Sequence, residues 1–78
     1  MNHEIEDIHR LNAIREALLN RKKEKRISYR SLAATADVEV GTAYNFITGK
    51  TDITMLNLMK LARGLDFTLI ELLQTSKS

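Results

Sequence analysis

Apolar residues recur along the chain every three or four positions, and nowhere do they alternate with polar ones over the length of a strand. From Ile5 to about Lys22 the set Ile8, Leu11, Ile14, Leu18 and Leu19 keeps that spacing, and Ala13 and Ala17 add helix propensity. This predicts a first helix that ends in a basic run. Ser28 is an expected N-cap for a second helix, with Leu32, Ala33 and Ala36 turned inward. Asp37 falls where a turn is needed, and Asp tolerates the left-handed region better than most residues. A third helix is predicted from Glu39 or Val40 to Thr48, with Gly49 just beyond it. Its inward positions are Ala43 and Phe46, with Val38 in the turn before. Ile47 adjoins Phe46, so the pattern does not let both face one core; Ile47 reads either as an edge-of-core residue or as a partner surface. Thr54 is expected to cap a fourth helix with Met55, Leu58, Met59, Leu61 and Ala62 as its apolar set, and Gly64 to Asp66 end it. Thr68 caps a short fifth helix carrying Leu69, Leu72 and Leu73. The tail after Gln74 is polar and expected to fray. The fold class is therefore all-α: one five-helix domain over residues 1–78, with a core at about 5–74 and a polar tail at 75–78.

Composition narrows the picture. At 78 residues the chain is one small domain, and an aromatic content of 5% makes the core aliphatic. With no Cys there is no disulfide framework or thiolate metal site, so regular helix packing or oligomerisation must supply stability. No apolar stretch approaches the ~18 residues of a membrane span, and no signal-peptide pattern opens the chain, so a soluble, cytoplasmic protein is expected. A chain of this size leaves little room for a catalytic cavity. His3 and His9 do not share a helix face well, and Glu6 with His9 would make a poor metal site near a terminus. No nucleophile–base pair or phosphate-cradling glycine loop appears. The expectation is a non-enzyme without metal or cofactor.

The net charge of +2 conceals an asymmetry: residues 1–20 carry −2, residues 21–30 carry +5 and residues 31–78 carry −1. Clustered cations suit phosphate. They also suit the C-terminal end of a helix dipole.

Residues 28–49 hold the most informative pattern. A helix of about eight residues, a three-residue turn and a second helix of similar length carry small Ala33 and Ala43 on their inward faces. That spacing lets two helices cross closely at a steep angle. The stretch ISYRSLAATADVEVGTAYNFITGK resembles the second and third helices of the Cro and phage-repressor type helix-turn-helix family. TMLNLMKLARGLDFTLIELL is similar to that family's closing helices. The resemblance covers Ile27 to Leu73 without a gap. Three positions depart from the family's habit. Asp37 stands in the turn where Gly is usual, and Glu39 where Ser or Thr caps the third helix. Gly41 stands where a long polar side chain is common. Relative to most members, the basic run is also expected to lengthen the first connection.

The resemblance implies a lambda-repressor-like fold whose third helix enters the major groove of double-stranded DNA. Carried over by position, Val40, Gly41, Thr42, Tyr44 and Asn45 face the bases. Asn45 suits adenine, Thr42 a base edge or thymine methyl, and Val40 a thymine methyl. No Arg or Lys lies on this face, so an A·T-leaning site is expected. Tyr29, Arg30, Lys50 and the helix start at Thr54 are the implied phosphate contacts, with Lys25 and Arg26 of the basic run as a second patch; the alternative for Tyr29 is packing against the first helix. Family habit and small size imply a homodimer acting as a transcriptional repressor, its dimer surface around the fifth helix or else the extended first helix. An antitoxin or adaptor module of the same fold, working through a protein partner, is the alternative reading.

Overall fold

The computed structural model describes residues 3–74 and consists, over that range, of five helices: α1 (His3–Lys25), α2 (Tyr29–Ala36), α3 (Val40–Ile47), α4 (Met55–Gly64) and α5 (Leu69–Gln74). The expected fraying tail at 75–78 lies outside the described residues. α2 packs on α3 and α4, α1 closes over α3 and α5, and α5 returns against α4. The fully buried side chains Leu18, Leu32, Phe46, Leu61, Leu65 and Leu72 come from α1 to α5 and meet in one core. Gly64 lets α4 come close to α2, since a Cβ there would sit 3.0 Å from the Ala36 Cβ.

Capping chemistry sets the helix starts. Ser28 Oγ accepts from the Ser31 amide at 3.0 Å and Thr54 Oγ1 from the Asn57 amide at 3.1 Å. At α5 the Thr68 hydroxyl accepts from the Glu71 amide at 3.0 Å while the Glu71 carboxylate accepts from the Thr68 amide at 2.9 Å, a reciprocal capping box. Glu39 takes the N-cap position of α3 but makes no side-chain cap, unlike the Ser or Thr usual there.

The ends of α1 to α4 share one device. Arg26, Asp37, Gly49 and Asp66 lie in the left-handed region, with φ of 56°, 59°, 88° and 59°. Each amide bonds the carbonyl three residues back, and the next amide bonds the carbonyl five residues behind it, as in Ile27 to Lys22 (3.4 Å), Val38 to Ala33 (3.0 Å), Lys50 to Asn45 (2.8 Å) and Phe67 to Ala62 (2.8 Å). This is the Schellman arrangement that satisfies the last carbonyls of a helix.

Three expectations are corrected. α1 runs through the basic run to Lys25, so the extra residues lengthen the helix and leave a connection of only Arg26 to Ser28. Lys, Arg and Glu are good helix formers, and the cations suit the negative end of the dipole. Ile8, Met55, Met59 and Leu73 belong to apolar periodic sets but are exposed. Each lies on the flank of its helix, where the neighbouring elements cover it only in part. Phe46 and Ile47 both join the core, because α3 is wedged between α1 and α2 and buries two flanks.

Candidate nucleic-acid interface

Three of the exposed helix ends are closed by cations from other helices. Arg15 Nε donates to the Phe46 carbonyl at 2.8 Å and Arg15 Nη2 to the Thr51 carbonyl at 2.9 Å, while its guanidinium lies 4.8 Å from the Phe46 ring centroid. Arg21 Nη1 donates to the Leu65 carbonyl at 2.8 Å and stacks 4.0 Å from the Phe67 centroid. Lys60 and Arg63 reach the Asp37 and Ala36 carbonyls at 3.4 Å each. These cations are structural. A cation at a helix C-terminus satisfies orphan carbonyls and opposes the dipole's negative end.

The basic run is thereby divided. Arg21 and Lys25 turn to the α4–α5 connection, where Lys25 pairs with the Asp66 carboxylate and holds it below the usual carboxylate range. Lys23 and Arg26 are exposed. Lys22 turns the other way. Its Nζ stands 4.2 Å from the Tyr29 ring centroid, at the start of α2. Tyr29 in turn meets Tyr44 of α3 edge to face, with centroids 5.1 Å apart and planes at 79°. Lys50, just past α3, has its Nζ 4.9 Å from the Tyr44 centroid. Partial burial pushes the Tyr29 phenol above its ordinary value, and the neighbouring Tyr44 phenol adds to the rise. The Tyr29 ring therefore stays neutral at physiological pH.

The result is a continuous ridge, Lys22–Tyr29–Tyr44–Lys50, drawn from α1, α2, α3 and the loop after it. Each stacked ammonium gains about 0.5–1 kcal/mol at an exposed site and still has N–H groups to donate. Beside the ridge, Val40, Gly41 and Tyr44 are exposed and Thr42 and Asn45 half-buried along the outer face of α3. A Cβ on Gly41 would meet nothing within 4 Å, so packing does not demand glycine there. Arg30 and Thr54 are exposed at the starts of α2 and α4. Of its two sequence readings, Tyr29 meets the packing one: it lies against the core edge and Lys22 of α1, and its ring also fronts the ridge. Lys22 was absent from the expected contact set. Its role arises because the turn after α1 folds the start of α2 back beneath its side chain, and helix periodicity carries no signal for that.

A helix pair with a three-residue turn, a small-residue crossing and an exposed second helix flanked by cations is what a groove-binding motif requires. Over residues 17–78 the chain matches the model of the Cro/C1-type HTH DNA-binding domain. The chain belongs to this family. Comparison with curated proteins and with solved structures returns no match. As a Cro/C1-type HTH domain, it uses α2 and α3 as its helix-turn-helix, with α3 in the recognition position. The match opens at Ala17, inside α1, so the first turns of that helix lie outside the matched stretch. Among the described residues no group of three or more His, Cys, Asp or Glu could hold a metal ion, and no helix is long and apolar enough to cross a membrane.

Proposed function

We propose that this Cro/C1-type domain is a sequence-specific transcriptional regulator, acting as a repressor and binding double-stranded DNA as a homodimer. The observation that carries the reading is the Lys22–Tyr29–Tyr44–Lys50 ridge along the exposed face of α3. Val40, Gly41, Thr42, Tyr44 and Asn45 face the bases, with Asn45 pairing adenine and Gly41 letting the backbone approach. Lys22, Tyr29, Arg30, Lys50 and the free amides at the start of α4 beyond Thr54 take the phosphates. Arg26 stands at the edge of this set. Lys25 is its weakest member, because Asp66 already neutralises it.

A single recognition helix buries too little surface for specific affinity, which favours a two-fold dimer with half-sites about one helical turn apart. We assign its surface to α5 and the turn before it. Leu56, Met59, Phe67 and Leu69 line an open groove of about 330 Å³ there, and Ile70 beside it is 69% exposed. Contiguous exposed apolar groups of this kind mark association surfaces.

Enrichment from a random duplex pool at ~150 mM salt tests the reading. The expected result is an A·T-leaning palindrome, on which Asn45→Ala costs about 1–3 kcal/mol and relaxes preference at one base position. A folded protein that enriches nothing sinks the proposal and points to the protein-partner reading. An Asn45→Ala loss equal on all sequences removes Asn45 from base readout.

A further inference from the structure

The first turns of α1 carry apolar side chains that neither the core nor the α3 face uses. Ile5 and Ile8 are 52% and 50% exposed on its first turns, within the part that the family match leaves out. From there Ile5, Ile8, Asn12, Arg15, Leu19 and Lys22 follow one another at alternating three- and four-residue steps, the seam spacing of paired helices. The seam changes character along its length. Its N-terminal end presents Ile5 and Ile8 as knobs. Further along it becomes one wall of an open groove of about 260 Å³ between α1 and the end of α3, lined by Asn12, Glu16, Leu19 and Ile47 among others.

Knobs at one end and a groove at the other, on one side of one helix, are self-complementary. A two-fold contact needs this property, because each copy gives and receives the same surface. The charges agree. Residues 3–9 hold Glu4, Glu6 and Asp7 with no Lys or Arg, whereas residues 21–26 hold five bases and Glu24. Antiparallel pairing lays the acidic end of one helix on the basic end of the other, and parallel pairing sets like charges together. The acidic end also disfavours DNA as the occupant, since DNA is a polyanion.

We propose that the first turns of α1 dock antiparallel into the α1–α3 groove of a second copy, with Ile8 of one copy beside Leu19 of the other and Glu4 level with Lys23. The groove that receives Ile8 and the groove at α5 share no lining residue. The contact is therefore distinct from the α5 surface and does not depend on the DNA-binding reading. Where both form, each α5 dimer presents two α1 surfaces and association continues beyond the dimer.

Sedimentation equilibrium on the full chain at ~50 mM salt reads the association steps directly. Ile8→Asp should abolish one step without changing the far-UV helix signal. Glu4→Lys and Lys23→Glu should each weaken the same step about tenfold, and the double exchange should restore it. Ile70→Asp should leave this step intact while removing the α5 contact, so failure of either interface shows separately. The proposal is overturned if the chain is monomeric throughout, or if Ile8→Asp leaves every step unchanged. It is equally overturned if the double exchange associates no better than its parents.

Discussion

The two ends of α1 follow the same periodicity and meet different fates. From Ile14 to Lys25 the helix is clamped: Ile14 and Leu18 are buried, Arg15 and Arg21 close the ends of α3 and α4, and Lys25 pairs with Asp66. From His3 to Arg10 every residue is exposed, isoleucines included. The protein extends 40 Å along one axis and 21 and 20 Å along the others, while α1 with its 23 residues spans about 35 Å. A helical repeat therefore tells which side of a helix is apolar. Whether that side is covered depends on how far the other helices reach.

Mutation should make this contrast quantitative. The largest effect is expected at the clamped end, where Leu18→Ala removes a fully buried side chain and should cost about 2–5 kcal/mol in urea unfolding. Ile8→Ala, on the same helix, should change stability by less than about 0.5 kcal/mol when the protein is held monomeric. Equal losses at both sites would erase the distinction. A smaller contrast separates the two lysines. Lys22→Ala should shallow the dependence of log affinity for duplex DNA on log salt by about one unit, because Lys22 lies on the ridge. Lys25→Ala should leave that slope unchanged, and an equal shift would place Asp66's partner on DNA as well.

The smallest expected effect is on acid sensitivity. The Asp66 and Glu71 carboxyls are both held low, Asp66 chiefly by the hydrogen bond from Lys25 and Glu71 chiefly by the Thr68 backbone amide. Their stabilising contribution is complete above the ordinary carboxylate range and is lost as pH falls through their lowered values. Amide exchange should accordingly rise first in α5 on acidification, and Asp66→Asn with Glu71→Gln should blunt the pH dependence. Opening that starts instead at the core of α2 would contradict it.

Local chemistry was legible in the sequence. Ser28, Thr54 and Thr68 cap the helices they precede, and Asp37 and Gly49 take the turns assigned to them, because each effect spans four or five residues. The five-helix order and the helix-turn-helix were readable for the same reason. Distant packing was not. Met55 and Met59 carry the right period but face solvent, and Ile47 is buried on a flank that one helix alone does not define. The basic run looked like a single electrostatic feature. In the folded chain Arg21 and Lys25, one turn apart, both face the α4–α5 connection while Lys22 turns to Tyr29, because successive residues on a helix point about 100° apart.

The repeated turn geometry has a kinetic consequence. Four connections close through bonds no more than five residues apart, and three of them do so with Arg or Asp in a conformation that glycine adopts more readily. Every helix stop can form before any distant contact exists. Loop-closure entropy is then a minor barrier, and folding should run on the microsecond-to-millisecond scale of helical domains dominated by local contacts. A stopped-flow or temperature-jump trace would show a single fast phase, slowed by residues that strain these turns and quickened by glycine at Asp37.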